Sequence, residues 1–411
     1  MDRKIKLTLL LGALSALAPL ATDMYLPALP TMNNEFNVGT SLIQMTLTAT
    51  IVGMGAGQIF AGPISDKLGR KIPLIVGMTF FTLSTLGCMV ASDIKIFLVF
   101  RLIQGLSGSF GLVIARAIAR DCTSGVELTK FFSMLMAVNG IAPIAAPVIG
   151  GQILLFADWR GVFTLLAIIG AALVIATLKF EETLPVKLRA KNMASSFKNF
   201  GALFRDRYFI GHVLLQCAWF SVFFAYISGS SFLFQDIYRV TPQTYSLIFG
   251  GLSCSLIIAG LLPMKLAGKV AEIKMLAWTV CQAFIGGIFF TACVLMKAPI
   301  ELTILSLFVM IPVGSVLGAT SFSLSMRNHG KEAGSASALL GSLPMCAGGL
   351  IAPLVGIDGS QNALPMAIIF LTGEILALII FWKLIYRTHR RGFRVKQKTP
   401  QNFSCRAYED I

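Results

Sequence analysis

Apolar runs of about 20 residues recur along the whole chain, and their length restricts the fold more than any other feature. At the 1.5 Å rise per residue of an α-helix, such a run spans the roughly 30 Å hydrocarbon core of a bilayer. Only 13% of the residues are charged, well below the roughly 25% of a soluble domain. The sequence therefore predicts an all-α polytopic membrane protein with twelve transmembrane helices, at residues 6–30, 41–64, 72–91, 94–118, 129–155, 160–179, 208–235, 242–266, 274–296, 299–325, 334–357 and 361–386.

One long polar connector, residues 181–207, divides the twelve runs into two sets of six. The fifth run contains Ala146-Pro147-Val148-Ile149-Gly150, and the eleventh run contains a counterpart, Ala352-Pro353-Leu354-Val355-Gly356. Similar segments at equivalent positions indicate a duplicated six-helix unit, as in transporters whose halves rock about a central site. We therefore expect two pseudo-symmetric six-helix bundles at 1–180 and 208–386, with a cytoplasmic linker at 181–207 and a basic cytoplasmic tail at 387–411.

The formal net charge is +15 at pH 7, a value that would suggest nucleic-acid binding in a soluble chain. With both termini placed in the cytoplasm, most Lys and Arg residues fall on the cytoplasmic side, and only Lys95, Arg160, Arg239 and Lys297 fall in outer loops. This asymmetry follows the positive-inside rule and fixes the predicted orientation. It assigns the basic tail to anchoring and to contact with anionic membrane lipids, and it argues against nucleic acid as a partner.

Two charged residues, Asp23 in the first run and Arg101 in the fourth, have apolar sequence around them. An ionisable side chain at membrane depth costs at least about 2.5 kcal/mol, so its default explanation is a function with a charged partner. Counted inwards at helical rise, Asp23 lies about 10 Å and Arg101 about 9 Å below the same boundary. We expect this pair to couple protons. Two alternatives stay open: Asp23 as an interfacial helix-end residue, because Pro27 and Pro30 follow it, and Arg101 as a side chain that extends to the surface.

The turn at residues 62–71 reads Gly-Pro-Ile-Ser-Asp-Lys-Leu-Gly-Arg-Lys. It resembles the signature G-x-x-[SA]-D-x-x-G-R-[KR] of the major facilitator superfamily at every defining position. The resemblance implies that Asp66 lies at the positive N-terminal end of the eleventh helix and that Arg70 pairs with Asp121; a purely topological role of the charges is the alternative. The residues expected to form this cytoplasmic gate are Gly62, Asp66, Gly69, Arg70 and Asp121.

Two other segments resemble elements of the same superfamily. Residues 101–105, Arg-Leu-Ile-Gln-Gly, are similar to the R-x-x-Q-G element that is associated with proton coupling. Residues 146–151 are similar to the antiporter motif G-P-x-x-G-G, with Ala146 in place of the first glycine. Close helix packing is the alternative explanation of such small residues. The residues assigned to the antiporter motif are Pro143, Pro147, Gly150 and Gly151.

Three further segments narrow the resemblance: residues 22–30, Asp158-Trp159-Arg160, and residues 333–339. They are similar to the Bcr/CflA branch, the bicyclomycin and chloramphenicol resistance drug:proton antiporters of bacterial inner membranes. The resemblance runs from about residue 6 to 386 and implies a multi-pass inner-membrane protein.

The second half lacks a charged counterpart of Asp23 and Arg101 and is aromatic instead. Trp219, Phe223 and Tyr226 share one face of the seventh helix. Packing or lipid contact is one interpretation, and the wall of a site for a flat organic molecule is the other. The candidate substrate-binding residues are Asp23, Tyr25, Gln104, Asn139, Phe223 and Tyr226. Glu374 in the twelfth run has three open interpretations: a protonated structural residue, an interface contact or a part of the coupling.

Together these features predict a proton-driven multidrug efflux transporter that exports small, largely apolar organic molecules in exchange for protons by alternating access. The eight cysteines form no C-x-x-C pair and the three histidines are scattered, so we expect no metal site. We also expect no cofactor, and we expect a monomer. An exporter of sugars or amino acids with the same fold is the alternative. A membrane-embedded enzyme or sensor would need a catalytic set or a soluble output domain, and the sequence indicates neither.

Overall fold

The computed structural model describes residues 3–123, 125–189, 200–266, 269–327, 329 and 333–388, and every regular element in them is helical. The α-helices are α1 (Arg3–Asp23), α2 (Leu29–Phe36), α3 (Thr40–Leu68), α4 (Lys71–Val90), α5 (Ile94–Cys122), α6 (Gly125–Ile153), α7 (Trp159–Leu178), α8 (Phe200–Arg205), α9 (Arg207–Phe232), α10 (Pro242–Gly260), α11 (Leu262–Leu266), α12 (Glu272–Leu295), α13 (Ile300–Met310), α14 (Val313–Met326), α15 (Ala333–Ile351) and α16 (Leu364–Ile380). Short 3-10 helices cover Leu26–Ala28, Val186–Leu188 and Ala352–Gly356, and π-helical turns cover Leu233–Ile237 and Phe381–Tyr386.

Eleven helical segments of the described chain are long and apolar enough to cross a membrane. The remaining predicted span is α6, whose apolar part Gly140–Ile153 is described. The predicted twelve-helix, all-α fold class is confirmed. Most predicted boundaries lie within a few residues of the observed ones, for example 72–91 against Lys71–Val90.

Successive spans run in opposite directions, so the loops that connect them lie alternately at the two ends of the molecule. One end holds the turn around Arg70, together with the end of α5 and the end of α7. The other holds the turn around Asp93, together with the starts of α3, α5 and α7. These are called the Arg70 end and the Asp93 end below.

Each half packs mainly within itself, and two helix pairs join the halves. In the first half α5 packs on α3, α4 and α1, and in the second half α9 packs on α15 and α16. The pairs that join the halves are α3 with α15 and α6 with α10. The internal repeat makes these two pairs equivalent. In each pair, the second span of one half packs against the fifth span of the other half.

Glycines set the closest helix contacts near Arg101. A Cβ atom at Gly105 of α5 would collide with the Thr50 carbonyl oxygen of α3, and one at Gly53 of α3 would collide with the Leu102 carbonyl oxygen of α5. Backbones can approach this closely only where small residues face each other. As a result, carbonyl groups of α3 come within reach of side chains on α5.

Prolines interrupt three of the spans. The predicted first span, 6–30, is broken: α1 ends at Asp23, a 3-10 helix containing Pro27 follows, and α2 begins at Leu29. The predicted tenth span is divided between α13 and α14 at Pro312, and the eleventh continues past Ile351 as a 3-10 helix containing Pro353. The expected bend after Asp23 is present, and it makes Asp23 the last residue of a helix.

Candidate functional site

Arg101 lies in the interior of the first bundle and is 0% exposed. Its Nη1 atom donates hydrogen bonds to the Ala21 carbonyl oxygen at 3.0 Å and to Gln104 Oε1 at 2.5 Å, and its Nε atom donates to the Thr46 carbonyl oxygen at 3.4 Å. The guanidinium carbon lies 4.3 Å from the centre of the Tyr25 ring, within cation–π range. The interpretation that Arg101 extends to the membrane surface is therefore wrong.

Asp23 is 5% exposed and does not face Arg101. No Lys, Arg or His nitrogen of the described residues lies within 4.0 Å of the Asp23 carboxylate. Within the described residues Asp23 and Arg101 therefore form no ion pair, and the proton-coupling role expected for these two residues stays a prediction. Asp23 is the last residue of α1 and lies within electrostatic range of Tyr226 and Tyr245 of the opposite bundle.

Tyr25 and Gln104 connect Arg101 to neighbouring helices. Tyr25 is 0% exposed, and its hydroxyl group lies 3.0 Å from Thr46 Oγ1. Gln104 is also 0% exposed, and its Nε2 atom donates to Thr85 Oγ1 at 2.7 Å. Both side chains are therefore occupied inside the first bundle, where they position Arg101.

An aromatic cluster of the second bundle lies within electrostatic range of Asp23. Tyr226 stacks on Phe249 with 5.5 Å between ring centres and 15° between planes, and Tyr245 lies beside Phe249 at 6.0 Å. The hydroxyl group of Tyr245 is 3.0 Å from Ser230 Oγ. The Tyr226 hydroxyl group is buried and has no hydrogen-bond partner among the described residues. Tyr226 was among the predicted residues, whereas sequence reasoning missed Tyr245, Phe249 and Ser230. The only sequence signal for these three is that Tyr245 and Phe249 are four residues apart, which places them on one face of a helix.

The other predicted residues of this region fall nearby or outside the described set. Phe223 is partly buried and stacks on Trp219 at 6.3 Å. Trp219 itself fills the space beside Gly314, so that part of the aromatic face packs within the second bundle. Asn139 belongs to α6, but its side chain lies outside the described residues.

Carbonyl groups next to prolines join the two bundles at the Asp93 end. Pro30 has no N–H group for the α-helical hydrogen bond to the Leu26 carbonyl oxygen, and Ser231 Oγ of the second bundle donates to that oxygen at 2.7 Å. Pro353 likewise cannot donate to the Gly349 carbonyl oxygen, which accepts from Thr48 Oγ1 of the first bundle at 2.7 Å. We call these two contacts the proline clamps.

Further hydrogen bonds support the proline clamps. Gln235 Nε2 donates to the Pro27 carbonyl oxygen at 3.1 Å and to Ser231 Oγ at 2.7 Å. Ser41 Oγ donates to the Pro353 carbonyl oxygen at 2.8 Å. Together they hold the ends of α1 and α15 against the opposite bundle.

The antiporter-like segment lies directly against the break in α1. A Cβ atom at Gly150 would collide with the Met24 carbonyl oxygen, and one at Gly151 would collide with Ser246 Oγ of α10. Gln243 Nε2 of α10 donates to the Gly151 carbonyl oxygen at 3.0 Å. Pro143 and Pro147 lie within α6. The two glycines therefore let α6 contact both the chain after Asp23 and the second bundle.

The signature turn at residues 62–71 forms a charged cluster at the Arg70 end. Arg70 Nε donates to Asp121 Oδ2 at 2.8 Å, which confirms the predicted ion pair. Arg70 Nη1 donates to Asp66 Oδ1 at 2.5 Å and to Ser65 Oγ at 2.9 Å. Asp66 was also expected to lie at the N-terminal end of the eleventh helix. Residues 330–332, just before that helix, lie outside the described residues, so this contact stays a prediction.

Glu182, which sequence reasoning missed, completes this cluster. It accepts hydrogen bonds from the backbone N–H groups of Arg70 at 2.9 Å and Lys71 at 3.2 Å. Burial raises the pKa of Glu182, but the backbone N–H groups of Leu184, Arg70 and Lys71 outweigh it and hold that pKa below its ordinary value. Gly69 has φ 93°, and a Cβ atom there would collide with the Glu182 carboxylate, so the turn needs glycine at this position.

The segment Asp158-Trp159-Arg160 fastens α2 to α7. Trp159 Nε1 donates to Glu35 Oε2 at 2.6 Å, and Arg160 Nη2 lies 2.7 Å from Glu35 Oε1. The Asp158 side chain accepts from the Arg160 N–H group as the N-cap of α7. The short helix that follows the break is thereby held within the first bundle.

A family model described as the Major Facilitator Superfamily matches residues 11–353. The chain belongs to this superfamily. It is 41% identical over 384 residues to the MFS-type transporter YdgK of Bacillus subtilis, with 92% of this chain and 95% of that one covered. It is 27% identical over 386 residues to a bicyclomycin resistance protein homolog of Haemophilus influenzae, with 92% and 96% covered. These matches confirm the predicted family resemblance.

A solved structure shows the same fold. The crystal structure of a D-xylose-proton symporter matches with a TM-score of 0.76 and 14% sequence identity, over 93% of this chain and 98% of that one. At this identity the likeness concerns the arrangement of helices alone.

Proposed function

We propose that this chain is a proton-coupled exporter of drug-like organic molecules in the bacterial inner membrane. The observation that carries the proposal is the placement of Asp23, a 5% exposed carboxylate at the end of a broken helix. It lies within electrostatic range of Tyr226 and Tyr245 in the aromatic cluster of the opposite bundle. The first proline clamp begins three residues later, at Leu26. The relative named for bicyclomycin resistance supports a drug as the exported molecule.

In the proposed cycle Asp23 is the group that binds and releases the proton. A buried carboxylate without a cation beside it changes its interactions strongly when it gains a proton. Arg101 contributes indirectly, since its hydrogen bonds to Ala21 and Thr46 hold the end of α1 against α3 and α5. Arg101, Tyr25 and Gln104 are thus positioning residues in this proposal.

The aromatic cluster supplies the proposed substrate contacts. Stacked rings such as Tyr226 and Phe249 offer a flat apolar surface, and binding sites combine such surfaces with a few polar groups. The unpartnered Tyr226 hydroxyl group would donate to an acceptor on the substrate. Phe223 and Asn139 remain proposed contacts at the edge of this surface.

Alternating access would use the clamps at one end and the charged cluster at the other. The proposed orientation places the Arg70 end and both termini in the cytoplasm, as the positive-inside rule predicts. In this proposal, formation of the clamps closes the transporter toward the outside. We further propose that the bundles comprise residues 1–180 and 208–386 and that the linker comprises residues 181–207. In the same proposal the tail at 387–411 contacts anionic lipids, and the protein is a monomer.

The test is dye and drug efflux in proteoliposomes with an imposed pH gradient. Asp23→Asn should abolish gradient-driven efflux while the protein still binds the dye. The matched control is Asp93→Asn, which removes the same charge at the N-cap of α5, where asparagine also caps well; it should transport normally. Wild-type efflux that ignores the pH gradient would contradict proton coupling, and gradient-driven efflux by Asp23→Asn would contradict the role of Asp23.

A further inference from the structure

A small cavity lies between the two bundles at the Asp93 end. Thr40 and Gln44 of α3 line it from the first bundle, and the second bundle contributes the end of α9, the 3-10 helix at Ala352–Gly356 and the start of α16. Most of the lining side chains are apolar, with Phe232 and Met366 among them. The space between them takes one water-sized group.

Gln44 directs an unused acceptor into this cavity. Its side chain is 0% exposed, and its Nε2 atom donates to the Ser228 carbonyl oxygen of the second bundle at 3.3 Å. A carbonyl oxygen can only accept, so this contact fixes which end of the amide is the nitrogen. Gln44 Oε1 therefore lies toward the cavity wall, where a Cβ atom at Gly356 would collide with it. It has no hydrogen-bond partner among the described residues.

The polar side chains around the cavity do not supply the missing donor. Asn362 Nδ2 donates to Asp358 Oδ2 at 2.5 Å, and neither Thr40 nor Ser360 donates to Gln44 Oε1. A buried acceptor without a donor costs about 1–3 kcal/mol. An occupant that brings its own donor into the cavity removes this cost.

The cavity favours a neutral donor over a cation. Its buried acceptor is an uncharged amide, and burying an ammonium group against one neutral oxygen costs far more than burying a hydroxyl group. The carboxylates nearby do not change this balance. Asp358 is exposed and already accepts from Asn362, so water and salt screen its charge. Asp236 has Arg239 as a counter-charge.

We propose that this cavity binds the hydroxyl group of a small neutral alcohol that enters from the Asp93 end. Gln44 Oε1 accepts the hydrogen bond, and the apolar walls surround the alkyl part. Because the walls belong to both bundles, a bound alcohol holds the Asp93 end closed. This consequence rests on the proposed alternating access, whereas binding itself does not. Asp23 and the aromatic cluster do not line the cavity, so the occupant affects closing and not the proton.

The experiment compares 2-propanol with acetone, which has the same number of heavy atoms and an acceptor but no donor. Affinity is measured by saturation-transfer NMR on the full chain in detergent. The wild type should bind 2-propanol about two- to tenfold more tightly than acetone, the range for one net hydrogen bond. Gln44→Met keeps the length of the side chain without the acceptor, and it should bind the two probes equally.

Two further variants separate binding from the stability of the interface. Ser41→Ala is the matched control, because it removes a neighbouring bond between the bundles, from Ser41 Oγ to the Pro353 carbonyl oxygen at 2.8 Å, and leaves Gln44 intact. It should keep the preference for 2-propanol. Ala363→Val narrows the cavity from the opposite wall and should weaken binding of 2-propanol at least about threefold while the Gln44 acceptor is still present.

Three binding results would overturn the inference. Equal affinities of the wild type for both probes would show that water alone occupies the cavity. An unchanged preference in Gln44→Met would place the alcohol elsewhere, and a preference lost in Ser41→Ala would trace it to the interface.

The effect on closing is measured separately, by the distance between spin labels at Ser92 and Met296 of the two bundles. 2-Propanol should raise the population with the shorter distance at least about twofold relative to acetone, and binding without this shift would contradict the effect on closing. Ethidium efflux driven by a pH gradient, measured without alcohol, tests the proposed exporter function independently of this cavity.

Discussion

The Thr48 hydroxyl group of the first bundle donates a hydrogen bond to the Gly349 carbonyl oxygen of the second bundle at 2.7 Å. This oxygen needs an outside donor because Pro353 has no N–H group. Serine and threonine side chains commonly satisfy backbone groups that proline frees inside membranes. In the proposed alternating-access cycle this bond breaks when the Asp93 end opens, so it would stabilise the closed state selectively.

Removing a clamp should therefore open the Asp93 end. Thr48→Val or Ser231→Ala should raise the open population about two- to tenfold, the range for one net hydrogen bond. Spin labels at Ser92 and Met296, in a background without native cysteines, report the distance between the bundles at this end. Thr82→Val is the control, because the Thr82 hydroxyl group bonds to Met78 within its own helix. An unchanged distance distribution in both clamp variants would contradict the assignment.

The hydroxyl groups of Tyr226 and Tyr245 should differ in their effect on stability. Tyr245→Phe removes the contact with Ser230 and should cost about 1 kcal/mol of stability. Tyr226→Phe removes a buried hydroxyl group without a partner and should leave stability unchanged or raised, while it weakens substrate binding. Melting temperatures in detergent and dye affinities measure both effects. Lower stability of Tyr226→Phe would show that its hydroxyl group has a partner.

Gly150 should not tolerate a side chain. In Gly150→Ala the added methyl group would collide with the Met24 carbonyl oxygen and push α6 away from the chain beside Asp23. We expect transport to be lost even where the protein still inserts into the membrane. Gly250→Ala is the matched control, because its Cβ atom would lie 3.7 Å from Ile144 and Val148, an ordinary contact distance. Equal transport by both variants would argue against close packing at Gly150.

The Glu182 carboxylate should stabilise the Arg70 end in a pH-dependent way. Its pKa in the folded protein lies below the ordinary value of 4.5, so the ionised form stabilises the fold above that pH. This contribution is lost as the pH falls toward the folded-state pKa. Glu182→Gln should thus lower the melting temperature at pH 7, and the difference from wild type should shrink near pH 4. Glu301→Gln, at an exposed position, should show no such pattern.

Glu374 should be replaceable by glutamine. It is 1% exposed and lies beside Gly287 of α12, and in the described part of the chain its Oε1 atom has no hydrogen-bond partner. Glutamine keeps the shape of a carboxylic acid, and there is no ion pair in the described surroundings to lose. We expect gradient-driven efflux of Glu374→Gln to equal that of wild type in the proteoliposome assay. A large loss would place Glu374 on the proton pathway instead.

Counting residues predicts depth in the membrane, but it does not predict direction around a helix. The depth expected for Asp23 and Arg101 follows from helical rise, whereas the position of Asp23 at the end of α1 depends on the break that follows it. The pair of Arg70 with Asp121 is predictable because a specific signature precedes it. Ser231 and Thr48 carry no such signal, since serine and threonine are frequent in membrane helices and only the fold places them opposite prolines.

The short distance along the chain between Asp23 and the clamp at Leu26 has a thermodynamic consequence. If closing the Asp93 end changes the affinity of Asp23 for a proton, protonation must change the closing equilibrium by the same factor, because the two processes share one free-energy cycle. A variant that only weakens the bond between Ser231 and Leu26 would then shift the pH dependence of transport without touching a titratable group. The Ser231 hydroxyl group would then contribute to the coupling between proton binding at Asp23 and closing of the Asp93 end.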